Sequence, residues 1–179
     1  RIKHLRMRSA ILLSLILFAF FSNVKAEDKK PICDTLKLDL DSGKVNKWRP
    51  DAPVDSLKKY FPCYSQFTEE GGEEFCGGGL DFENMGLRMY TGLNCFEVLP
   101  GFSGKINYQL FGHDEAYLEE VLGQPVRVTD KQDYEDSPIT SIYHFKRPYG
   151  WLLVWVSPAH EVIRIQVHTR ELDKLQWCD

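Results

Sequence analysis

The side chains of this chain best suited to chemistry are its cysteines, Cys33, Cys63, Cys76, Cys95 and Cys178, and its 5 histidines. No two cysteines stand in a CxxC spacing, and the histidines do not cluster with them, which argues against zinc and against thioredoxin-type redox work. Cys76-Gly77-Gly78-Gly79 has the glycines of a phosphate cradle. No Lys-Ser/Thr follows and no helix pattern starts there, so a bulge or a flexible connection is the better reading. His113-Asp114-Glu115 and His160-Glu161 could ligate a metal, yet neither has the i, i+4 partner of an HExxH site, and both suit caps and turns. Glu73 and Glu74 with Asp81 or Glu83 could form a glycosidase carboxylate pair, but acids are abundant here and only geometry would single out such a pair. There is no GxSxG and no nucleotide fingerprint. No catalytic residue, metal or cofactor is expected.

An odd number of cysteines in an oxidising compartment leaves one thiol over, and a buried leftover is the common outcome. Choosing the odd cysteine and connecting the other four gives 5 × 3 = 15 arrangements, among which sequence does not select; the expectation is Cys63–Cys76 closing a local loop, with Cys33 or Cys95 reaching Cys178 to hold the C-terminal tail. The oxidising compartment is itself inferred from the first residues. Arg1 to Arg8 is basic, Ala10 to Phe21 is an apolar run of 12 residues, and Val24 and Ala26 occupy the small-residue positions of a cleavage site. Residues 1–26 therefore read as a secretory signal, with Met7 as the start. The apolar run falls short of the roughly 20 residues that span a bilayer, so no stable membrane insertion is expected after cleavage.

Residues 27–179 are of single-domain size. Of the 22 Lys and Arg, 5 lie in residues 1–26, where none of the 26 acids does, so the remainder carries −9. That balance opposes nucleic acid and anionic membranes as partners and suits a basic protein.

Ser42-Gly43-Lys44-Val45-Asn46 returns as Ser103-Gly104-Lys105-Ile106-Asn107, 61 positions later. At the same offset Leu57 falls on Leu118, Tyr60 on Val121 and Phe61 on Leu122, which points to one unit used twice, over about 36–100 and 101–169, before a C-terminal tail. In the first unit Asp55 opens a helix to about Phe61, stopped by Pro62. In the second, Asp114 and Glu115 favour a helix start, with Leu118, Val121 and Leu122 as its stripe and Gly123 past its end. Alternation predicts strands at Ser141–Lys146, Gly150–Val156 and Val162–His168, with fainter ones at Gly79–Glu83, Gly86–Tyr90 and Cys95–Leu99. Asp130 to Ser137 reads as an acidic loop. The fold class is α+β: tandem helix-plus-antiparallel-meander repeats, their short helices on one face of the sheet.

Period 2 also assigns faces. Ile163, Ile165 and Val167 should pack inward with Leu152, Val154 and Val156. The opposite face then carries Trp151, Leu153 and Trp155 beside His144, Lys146, Arg164, Gln166 and His168. Tryptophan bordered by arginine and imidazole at a partly wet surface is the make-up of a binding hot spot. The competing reading is that Trp151 and Trp155 are simply covered by the first half or a terminal segment.

A short helix ending in Leu122-Gly123-Gln124-Pro125, followed by Tyr143-x-Phe145 and an apolar hairpin, resembles the tandem-repeat fold of β-lactamase inhibitor proteins and of small outer-membrane assembly lipoproteins of the SmpA/OmlA type. Gly86 to Tyr90 and Pro100 to Gly104 are similar to secreted or toxin-associated immunity proteins. The likeness spans most of residues 36–169. No lipobox cysteine is present, and Phe61-Pro62-Cys63 stands where the first repeat would carry Leu-Gly-x-Pro. The resemblance implies a sheet face that binds another protein. The leading expectation is a periplasmic or secreted, non-enzymatic inhibitor or immunity-type protein contacting its partner through Trp151, Trp155, Arg164, His144 and His168. The alternatives are a small periplasmic hydrolase acting on cell-wall or glycan material and an envelope assembly factor.

Overall fold

A computed structural model describes residues 33, 35–70, 78–132 and 135–171, which fall in one compact unit, Pro31–Asp179. The segment read as an export signal, together with Glu73, Glu74, Cys76 and Cys178, lies outside the described residues.

The chain runs β1 (Lys37–Asp39), β2 (Lys44–Val45), α1 (Val54–Tyr60), β3 (Gln66–Thr68), β4 (Gly79–Phe82), β5 (Leu87–Tyr90), β6 (Cys95–Val98), β7 (Lys105–Ile106), α2 (Glu115–Leu122), β8 (Arg127–Lys131), β9 (Thr140–Arg147), β10 (Gly150–Val156) and β11 (Val162–His168). This is an α+β fold, mostly antiparallel sheet with short helices. The large sheet has 8 strands in the order β3-β4-β5-β6-β11-β10-β9-β8, and every neighbouring pair is antiparallel. Two four-strand meanders thus meet along their last strands, β6 and β11, at the centre of the sheet.

The repeated pentapeptides have a shared job. Each supplies a two-residue strand, β2 from the first copy and β7 from the second, and the two flank β1 in a three-stranded sheet. Their asparagines do matching work on the β1 backbone: Lys37 N–H donates to Asn46 Oδ1 and Leu40 N–H donates to Asn107 Oδ1, both at 2.9 Å. The second bond carries more weight, because Leu40 is buried and an unpaired buried amide costs about as much as a lost hydrogen bond, whereas Lys37 is exposed. Gly43, in the first copy, has φ +65°, and a Cβ there would lie 2.6 Å from the Tyr149 ring.

Each helix is short and stable only through the face it buries. Leu57 of α1, the adjoining Phe61, and Leu118 and Leu122 of α2 join one core with Leu80, Phe82, Met89, Phe96, Phe145, Val154 and Ile165 of the large sheet. Both helices therefore cover the same side of it. Burying each such side chain is worth about 1.5–3 kcal/mol. Their starts differ. Asp114 caps α2, its Oδ1 accepting from Tyr117 N–H at 3.1 Å, and Gly123 at φ +80° ends the helix. Asp55 is not the cap of α1: Pro53 takes that position with no side-chain bond, and Asp55 lies within the first turn.

Three further sequence expectations are corrected. Asp130 and Lys131, read as loop, are the last residues of β8, held by pairing with Ser141 and Thr140 of β9. Ile163 does not pack inward with Ile165 and Val167. Between Trp155 and Val156 the register jumps from Arg164 to Val162, and the bulge sends Ile163 to the opposite face, against Ile142, Trp151, Leu153 and Trp155. Cys63 is bonded to Cys33, with Cα atoms 5.5 Å apart, and not to Cys76; Cys95 is free and buried, so neither Cys33 nor Cys95 forms the tether to Cys178. Among the described residues no helix is long and apolar enough to cross a membrane.

Candidate binding face

The side of the large sheet turned away from α1 and α2 is built by strand alternation, with the β11 bulge adding Ile163 to it. Because Leu80, Leu87, Phe96, Ile165, Leu152 and Tyr143 point to the helices, their strand neighbours point away. Ladder pairing then sets Asp81 beside Arg88, Arg88 beside Glu97 and Glu97 beside Gln166. One step along, Tyr90 lies beside Cys95, Cys95 beside His168, His168 beside Trp151 and Trp151 beside Lys146. A further row sets Arg164 beside Trp155 and Trp155 beside Ile142. All five residues expected at the surface, Trp151, Trp155, Arg164, His144 and His168, are thus on one face.

Their exposure is not what the sequence reading required. Trp151 and Trp155 keep 8% and 5% of their surface, and His144 and His168 are buried as well. Only Arg164 is half-exposed. The physical reason lies partly in the cations. Lys146 Nζ sits 4.5 Å from the Trp151 ring centre, the Arg164 guanidinium 4.7 Å and Lys131 Nζ 5.7 Å from that of Trp155. Long basic side chains laid across indoles cover apolar surface with their stems, keep their charge in water, and gain roughly 0.5–2 kcal/mol of cation–π attraction each.

At the centre of the face is a carboxylate the sequence reading did not single out. Glu97 is 2% exposed. It accepts from Tyr90 Oη at 3.1 Å and from Gln166 Nε2 at 2.9 Å, and lies 3.6 Å from Arg88 Nη1 and 3.5 Å from Arg164 Nε. Gln166 Oε1 accepts from the Trp155 indole N–H at 3.1 Å, so indole, amide and carboxylate form one chain. Arg88 Nε also reaches Asp81 Oδ2 at 3.4 Å. Burial and the Glu97 charge push the Tyr90 hydroxyl up to about 12, which keeps it a donor at neutral pH. The signal for this cluster was the alternation Arg88-x-Tyr90 and Cys95-x-Glu97. It becomes visible only when the first-half strands are given faces and a central position.

Cys95 Sγ lies 3.4 Å from His168 Nε2, which resembles a nucleophile–base pair. The electrostatics oppose that use. Burial raises the thiol well above its ordinary value, and burial lowers His168 to about 4, with His144 and Arg170 adding to the effect. A neutral thiol against a neutral imidazole is packing; an activated cysteine needs the reverse shifts. His144, similarly lowered to about 4 by burial and by Arg127, bonds Thr129 Oγ1 at 2.8 Å. Away from this face, a cleft of about 420 Å³ runs beside β7, lined by Phe102, Lys105, Ile106, Gln109 and Phe111 among others, with no carboxylate in its lining. No group of three or more metal-ligating side chains occurs among the described residues.

No protein family, no curated protein and no solved structure matches this chain.

Proposed function

We propose that the chain is an exported, non-enzymatic protein-binding module of the inhibitor or immunity kind, built by duplication of a helix-plus-meander unit and meeting its partner with the face of the large sheet turned away from α1 and α2. The observation that carries this reading is the arrangement of Arg88, Arg164 and Lys146, whose side chains are 40%, 36% and 47% exposed while anchored from beneath by Glu97, Trp155 and Trp151. Polar groups fixed in place before contact lose little entropy on binding, which is what a protein-recognition surface needs. The indoles thus serve as a platform and the cations as the contacting groups.

Export is supported by the Cys33–Cys63 disulfide, a bond that persists in oxidising compartments. Duplication is supported by the two pentapeptides flanking β1 and by two helices each followed by four antiparallel strands. The test is retention of proteins from the cell's own envelope extract on the immobilised protein. Wild type should retain a partner that the triple variant Arg88→Ala, Arg164→Ala, Lys146→Ala loses. Undiminished retention by the triple variant would show that another surface makes the contact. Absence of any retained protein on wild type would overturn the binding-module reading.

A further inference from the structure

The two copies of the repeated pentapeptide are followed by different backbone. After the first, Val45 N–H donates to the Trp48 carbonyl at 2.9 Å and Trp48 N–H to the Val45 carbonyl at 3.0 Å, so the chain folds back and closes the outer edge of β2. At the offset of 61 positions that relates the copies, Val45 falls on Ile106 and Trp48 on Gln109. These two make no such pair. Among the described residues, neither the N–H nor the C=O of Ile106 has a hydrogen bond. Alternation says where those groups point. Lys105 N–H donates to the Leu36 carbonyl at 2.8 Å and Asn107 N–H to that of Leu38 at 3.2 Å, so both residues face β1. Ile106, between them, turns its backbone groups to the open edge of the three-stranded sheet. Ile106 and Gln109 also line the cleft of about 420 Å³, with Phe102, Leu110 and Phe111 as its apolar wall.

A strand edge with an unpaired N–H and C=O is a template for another extended chain. We propose that the outer edge of β7 takes up an extended segment of a partner protein, which adds a strand through Ile106 and seats an apolar side chain in the cleft. One backbone pair holds a peptide weakly, and the cleft supplies the burial that completes the site. A residue paired with Ile106 carries its side chain on the same face as Ile106 itself, which places it among the lining residues. The wall is shaped before contact, because the Phe102 ring lies against Gly104, where a Cβ would come within 2.4 Å of it. Directional backbone groups select this occupant: an acyl chain would fill the apolar wall but offers Ile106 neither donor nor acceptor. The site is separate from the large-sheet face and does not depend on it.

The experiment is fluorescence anisotropy of the purified protein with fluorescein-labelled peptides Thr-Val-X-Val-Thr, where X is Phe, Leu, Lys or Glu. The Phe and Leu peptides should bind. Ile106→Pro should weaken them at least about fivefold, the worth of one backbone hydrogen bond. Proline suits this position, since Ile106 N–H makes no ladder bond to β1. N-methylation of the peptide amide at X should weaken binding by a similar factor, and it leaves the protein unaltered, so a fold defect in Ile106→Pro does not blunt the test. The triple variant Arg88→Ala, Arg164→Ala, Lys146→Ala should bind these peptides as wild type does. Binding indifferent to N-methylation, preference for the Lys or Glu peptide, or no binding of any peptide overturns the proposal. So does loss of binding in a triple variant that still melts cooperatively, which would move the peptide to the large sheet. A dimer in sedimentation that Ile106→Pro splits would give the edge to a second copy of this chain and overturn the partner segment.

Discussion

The two meanders solve the same problem differently. Both have a side turned away from the helices that must be made compatible with water. In β4–β6 this is done with charge: Asp81, Arg88 and Glu97 form an ionic row closed by Tyr90. In β9–β11 it is done with large rings and imidazoles, Trp151, Trp155, His144 and His168, roofed in part by basic stems. The junction is β6 against β11, where Gln166 joins Glu97 to Trp155. A sheet face can therefore be sealed either by pairing its charges or by stacking cations on apolar rings, and here one seam couples both.

The largest effects should come from cutting that seam. Trp155→Ala removes a buried indole and should cost about 4 kcal/mol. Glu97→Ala takes the acceptor from the buried Tyr90 hydroxyl and Gln166 amide, while the half-exposed arginines turn to water, and should cost about 2 kcal/mol. If the halves are coupled through Gln166, the double variant will lose less than the sum, by roughly 0.5 kcal/mol or more in a urea-denaturation cycle. Strict additivity would mean the two sealing devices stand independently.

pH separates the halves next. His168 in β11 sits near 4, below its ordinary value of 6.5. As pH falls from about 6.5 toward 4, the unfolded chain takes up a proton that the folded chain refuses, so stability is full above that window and lost within it. For His168 the loss is at most about 3 kcal/mol, and His144 pulls the same way. The first half fails at the other end. Cys95 and Tyr90 are raised by burial, so their contribution is present below pH 9–10 and lost as pH climbs further, when only the unfolded chain ionises. Urea midpoints across pH should show an acid limb that His168→Gln flattens and an alkaline limb that Cys95→Ala flattens. An acid limb unchanged in His168→Gln would show that the imidazole is more accessible than its burial implies.

Much of this architecture was legible in the residues, and what was not has specific causes. Gly150–Val156 and Val162–His168 announce their bounds because turn residues flank clean apolar runs, and period 2 placed Trp151, Trp155, Arg164, His144 and His168 together. Their burial was illegible, because exposure depends on cross-strand neighbours such as Lys146 and on a register that sequence does not state. The bulge that turns Ile163 outward is likewise a property of pairing. β8 was missed since Arg127-Val-Thr-Asp-Lys131 has the composition of a loop and is a strand only because β9 offers it a ladder. Glu97 escaped notice for a related reason: four-residue strands carry too few alternations to mark an acid as interior. The Cys33–Cys63 bond depends on where the segment before β1 meets the end of α1, a distance that spacing along the chain does not contain.

The smallest contrast lies in the helices, and it asks how alike α1 and α2 are in energy as well as in their place before a four-strand meander. Asp114 accepts a backbone hydrogen bond at the start of α2 and also places charge at the positive end of the helix dipole. Asp55 has only the second role, since α1 begins after Pro53 with no side-chain acceptor. Asp114→Ala should therefore cost about 1 kcal/mol, and Asp55→Ala about 0.3 kcal/mol, nearly all of it screened by added salt. Asp114→Asn keeps the acceptor and loses the charge, so it should fall close to wild type at high salt. Equal costs for Asp55→Ala and Asp114→Ala would mean that α2 draws nothing from its cap and is held, like α1, by Leu118 and Leu122 against the sheet alone.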